Sequence, residues 1–106
     1  MKTLMAGVLL TAAAIGLAGP ASANGDPGDN DVDSFRADVT NRADLHMKGG
    51  DEGARRIAAE ICVDLAGGRS IDAEASALGG RNMSVDQAKA LVEAAAYHFC
   101  PTYYYR

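Results

Sequence analysis

The chain has 106 residues, with 14 Asp and Glu against 10 Lys and Arg and a net charge of −4 at neutral pH. That length holds one small domain once any targeting segment is set aside. The acidic balance, with no basic stripe, repels phosphate backbones and argues against nucleic acid and anionic membrane surfaces as partners.

Residues 1–23 read as a secretory signal peptide. Met1-Lys2-Thr3 is a short basic start, Leu4 to Leu17 is an apolar run, Gly19-Pro20 breaks it, and Ala21-Ser22-Ala23 forms an A-x-A cleavage site. The run falls short of the roughly 20 apolar residues a membrane-spanning helix needs. No cysteine near the cleavage point offers a lipid attachment site. Cleavage is expected between Ala23 and Asn24, leaving a chain without a transmembrane segment, secreted or kept at the cell envelope. Loss of Lys2 takes the net charge to roughly −5.

Residues 24–30 read as a flexible acidic leader, since Asn24 to Val32 is NGDPGDNDV, rich in Gly and Asp. From there the periodicity is helical, and no alternating β-branched run argues for a strand. A first helix starts at Asp31 or Asp33, either of which can cap it. Val32, Phe35, Val39 and Ala43 fall on one of its faces. Gly49-Gly50 ends this region, and Leu45-His46-Met47 either extends the helix or forms an apolar loop.

A second helix follows, with Asp51 and Glu52 at its positive end. Its apolar stripe is Ala54, Ile57, Ala58, Ile61 and Leu65, and Gly67-Gly68 stops it. Ser70 caps a short third helix with Ile71, Ala75 and Leu78 on one face, closed by Gly79-Gly80. The fourth opens on Ser84 and Gln87 at capping-box spacing, with Met83 as a hydrophobic staple. Ala88, Leu91, Val92, Ala95, Ala96 and Phe99 face inward, and Pro101 ends it. The expected fold is all-α: a bundle of three to four short helices over residues 31–101, followed by an aromatic tail, 102–106.

Cys62 and Cys100 lie at the edges of the apolar stripes of the second and fourth helices. In an exported small domain they read first as a disulfide. The bridge closes a loop worth roughly 4 kcal/mol by chain entropy, a large share of what so thin a core supplies. No C-x-x-C pair or basic pocket supports a redox or nucleophilic thiol.

Other chemistry finds little support. His98-x-Cys100 suggests a metal only in isolation, and a two-histidine site with His46 is the weaker reading beside a boundary histidine at a helix end. Asp29, Asp31 and Asp33 echo the start of a calcium loop, but Ser34 stands where glycine is needed and Thr40 where glutamate is needed. The run reads as a solvated leader and helix cap. Ser70 and Ser84 are explained as caps, and no nucleophile elbow or phosphate loop is present. No cofactor, catalytic residue or metal ligand is assigned. Asn82-Met83-Ser84 matches a glycosylation sequon.

Several segments together resemble a known family. They are an Asp-rich start with Phe35, then Ile61-Cys62 and Leu65 closing on Gly67-Gly68-Arg69-Ser70, then Ser84-Val85-Asp86-Gln87-Ala88, and the ending Tyr97-His98-Phe99-Cys100-Pro101. This order is similar to the small exported actinobacterial proteins catalogued as domain of unknown function 732, over about residues 31–101. Phe99 departs from the tyrosine usual before the last cysteine, and Tyr103-Tyr104-Tyr105 lies outside the pattern. The resemblance implies a small helical fold with the two cysteines joined, and it carries no activity.

The function expected is therefore non-catalytic: an interaction or structural module with an unidentified protein partner. Tyr97, Tyr103, Tyr104 and Tyr105 are its expected contact surface, because tyrosines anchor interfaces. Folding of the tail back over the core is the bland reading and is slightly favoured over a free binding tail. The alternative function, a carrier of a small apolar ligand, needs a cavity for which alanine-rich helix faces leave little room.

Overall fold

The computed structural model describes residues 25–80 and 82–105. The expected signal peptide, its cleavage site and the first residue of the leader lie outside these. The described residues form five helices: α1 (Val32–Ala43), α2 (Gly50–Ala66), α3 (Ile71–Leu78), α4 (Val85–Phe99) and α5 (Pro101–Tyr104). No helix among them is long and apolar enough to cross a membrane.

Local sequence sets most of the boundaries. The Asp31 carboxylate caps α1, accepting from the amides of Asp33 at 3.0 Å and Ser34 at 3.4 Å. Ser70 caps α3 through the Ala73 amide. Ser84 and Gln87 close the full capping box on α4, each side chain accepting from the other's amide. The second helix starts one residue earlier than its acidic turn suggests, at Gly50. Gly49 stands before it at φ 84°, a left-handed conformation glycine adopts without strain. Leu45 to Met47 is a loop, and Leu45 and Met47 pack on the core from it.

α4 is the central element, packed against α1, α2 and α3. The core joins Phe35 and Val39 of α1, Ile61 and Leu65 of α2, and Leu91 and Val92 of α4, with buried alanines filling between them. The Phe35 and Phe99 rings meet edge to face at 5.4 Å. The Cys62–Cys100 disulfide ties α2 to the end of α4, with Cα atoms 6.0 Å apart. Pro101 ends α4 as expected, and it also opens α5, where its fixed φ suits a first helical position. Residues 102–104 of the aromatic tail thus lie in one turn of helix, folded back on the bundle.

Candidate functional site

The C-terminal end of α4 gathers most of the polar and aromatic chemistry. Pro101 has no amide hydrogen, and the chain bends at Cys100, so the carbonyls of Tyr97 and His98 lack helical donors. Residues 25–30, expected as a flexible leader, supply them instead. The Gly28 amide donates to the Tyr97 carbonyl at 2.7 Å, and the Asn30 amide to the His98 carbonyl at 2.9 Å. Asn30 takes a positive φ of 55°, which asparagine tolerates. The segment forms a strap across the end of the bundle.

Beneath the strap lies His98, fully buried. Its Nδ1 is 2.9 Å from Asp29 Oδ1 on the strap, and its Nε2 is 2.6 Å from Asp38 Oδ2 on α1. Asp38 is itself buried. Burial alone would raise the Asp29 carboxyl. The Asp31 amide, the His98 ring and charge and a backbone hydrogen bond from Asp26 outweigh it and hold this carboxyl below the ordinary aspartate range. His98 was expected at the margin of the apolar face; it is instead the buried centre of a three-residue network. Its imidazole is sealed from solvent and both ring nitrogens are engaged, so it offers no lone pair to a substrate.

The four tyrosines divide. Tyr97, Tyr104 and Tyr105 make a continuous edge-to-face ladder, with ring centroids 5.3 Å and 4.8 Å apart along it. Tyr97 donates its hydroxyl to the Gly25 carbonyl at 3.3 Å. Burial raises the phenols of Tyr97 and Tyr104 above their ordinary range. Tyr105 ends the ladder 66% exposed. Tyr103 and Tyr104 pack against the core.

Two adjoining clefts lie along α2 and α4. One, about 370 Å³, is lined by Ile61, Leu78 and Ala77, with Glu60, Asp64, Arg69 and Glu74 at its polar end. The other, about 290 Å³, opens between Leu45, Met47 and Lys48. Ile57, Asn82, Met83 and Leu91 line both. At the polar end Arg69 Nη1 donates to the buried Glu74 Oε1 at 2.7 Å. His46 is exposed and sits 3.6 Å from Asp44, so the two histidines meet different carboxylates. Among the described residues no group of three or more His, Cys, Asp or Glu is arranged to hold a metal ion.

The missed centre had a sequence signal. Asp38 falls three residues after Phe35 on the buried face of α1, and His98 falls seven after Leu91 on that of α4. Two titratable residues on facing apolar stripes point to a buried pair.

A family model described as "Protein of unknown function (DUF732)" matches residues 24–102. No curated protein and no solved structure matches the chain.

Proposed function

We propose, for a chain that belongs to the DUF732 family of proteins of unknown function, that it acts outside the cell as a non-catalytic interaction module. The observation that carries this reading is the Tyr97–Tyr104–Tyr105 ladder. Tyrosine binds partners through a large, amphipathic face at low entropic cost. Here the ring at the end is exposed, while Tyr104 behind it packs on the core and Tyr97 is tied to the strap through the Gly25 carbonyl. Export rests on the N-terminal basic, apolar and A-x-A pattern.

The test is photocrosslinking in the producing cells. A photo-reactive phenylalanine analogue is placed at position 105 and, as a control, at Val63, which is 69% exposed on α2. A discrete adduct is expected from position 105 alone, reduced about tenfold by alanine at Tyr97. Identical adduct patterns from both positions would sink the reading.

The two clefts favour a second reading, carriage of a small apolar ligand. Their volumes of about 370 and 290 Å³ approach those of small-ligand pockets, and Met47 and Met83 give their walls an adaptable apolar surface. Native mass spectrometry of protein isolated without detergent is expected to show a ligand-bound species that Leu91→Lys removes. A single unliganded mass would end this reading.

A further inference from the structure

The two adjoining clefts share Ile57, Asn82, Met83 and Leu91, so one largely apolar groove runs between them with unlike ends. Lys48 stands at one end, and Glu60, Asp64, Glu74 and Arg69 stand at the other. We infer that this groove takes an amphiphilic cation: a single short apolar chain with an ammonium or amidinium head, the head held at the Glu60–Asp64 end and the chain laid along Ile57, Met83 and Leu91. This names a ligand class for the carriage reading above and rests on it.

Charge sets the direction. Among the described residues lining the polar end, three carboxylates face one guanidinium. Arg69 Nη1 is shared between Glu74 Oε1 at 2.7 Å and Asp64 Oδ2 at 3.9 Å. Glu74 lies beneath the surface, its side chain 2% exposed, whereas Asp64 is 42% exposed and Glu60 is also open to solvent. A cationic head entering here meets two accessible carboxylates, while an anionic head meets repulsion. Burial first, and then the hydrogen bond and charge of Asp64, raise the Glu74 carboxyl against the pull of Arg69. The Asp64 share of that rise marks an end with more negative charge than Arg69 balances. At the opposite end Lys48 repels the same head, so the chain and not the charge points that way.

Shape sets the rest. The volume of about 370 Å³ lies at the low end of small-ligand pockets, which suits one short chain and not a two-chain lipid. Met47 and Met83 adapt to an unbranched chain without a shaped socket. Among the described residues no three ligand groups converge as a metal ion requires, whereas an ammonium can be met from one side.

The experiment titrates octylammonium, octanol and octanoate, each below its aggregation concentration, into the whole ¹⁵N-labelled protein with its disulfide intact. Amide shifts of Ile57, Glu60, Asp64 and Met83 report the groove. Octylammonium is expected to bind about tenfold tighter than octanol, the scale of one or two partly exposed charge pairs, and octanoate no tighter than octanol. Glu60→Gln is expected to weaken octylammonium about threefold and to leave octanol unchanged. Asp33→Asn removes an exposed carboxylate that lines neither cleft and is expected to change neither affinity. Octanol or octanoate binding in the groove as tightly as octylammonium, or equal losses from Glu60→Gln and Asp33→Asn, would overturn the cationic head and leave the carriage reading standing. Groove amides that move with none of the three probes would overturn both.

Discussion

Glu74 shows how one residue can carry a pH dependence without touching the bundle's shape. Its side chain is only 2% exposed, yet it faces Asp64 as well as its partner Arg69. Burial, then the Asp64 hydrogen bond and charge, raise its carboxyl above the ordinary range, against the lowering pull of Arg69. A raised folded value means the folded state binds this proton more tightly than the unfolded one. The associated stability is present at low pH and is lost as pH rises from about 4.3, the unfolded value, through the folded one. Glu74→Gln keeps the shape and an oxygen for Arg69 while removing that titration. Its melting temperature relative to the parent is therefore expected to be higher at pH 7 than at pH 4, as scanning calorimetry would show. A difference that stays constant or shrinks contradicts the assignment. The same physics explains why residues of this kind were hard to read from sequence. Glu74 and Asp29 each occur in a run that looks solvated, and only the packing of distant segments buries Glu74 and sets Asp29 against His98.

Helix boundaries and buried faces were more legible in the sequence than buried carboxylates. The start of α4 was legible because its cap is local chemistry, closed within four residues by Ser84 and Gln87. The stripes on α1, α2 and α4 were legible because burial follows a 3.6-residue period. Less visible was what the strap does, since its hydrogen bonds reach residues about 70 positions away. The same holds for the opening of α2, where Gly53 shows a tertiary constraint overriding propensity. In a free helix Gly53→Ala gains about 1 kcal/mol. Here an added Cβ meets the Lys48 backbone carbonyl, which the loop before α2 brings against the helix. The substitution is expected to destabilise by about 1–3 kcal/mol, as overpacking does. Gly50→Ala, with open space around its Cβ but a φ of 65°, separates the two effects, since its cost is backbone strain alone. Urea unfolding of both variants measures this, and a stabilised Gly53→Ala would refute the steric account.

For the molecule as a whole the disulfide and the shape of the core have to be considered together. Phe35, Ile61, Leu65 and Leu91 are the large apolar side chains fully buried, and alanines occupy much of the remaining interface. Alanines let α4 approach its neighbours closely, but each removes little apolar surface from water. A domain built this way has only about 3–5 kcal/mol from its core. The bridge spans a sequence separation of 38 residues, and constraining that loop in the unfolded chain is worth about 4 kcal/mol. The two quantities are comparable, so reduction should remove about half of the folding free energy. Its location adds to the effect. Cys100 holds the turn from which α5 folds back and from which the strap receives its two carbonyls, so a freed Cys100 loosens the ladder and the strap at once. Urea unfolding followed by circular dichroism, with and without reductant, is expected to show a loss of about 4 kcal/mol. The Cys62→Ser/Cys100→Ser double variant should match the reduced protein. Near-ultraviolet signals of Tyr97 and Tyr104 should weaken at lower denaturant than the helical signal does, because the staple's end of the bundle opens first. A loss below about 1 kcal/mol would mean that packing of α4 on α1 and α3 carries the fold.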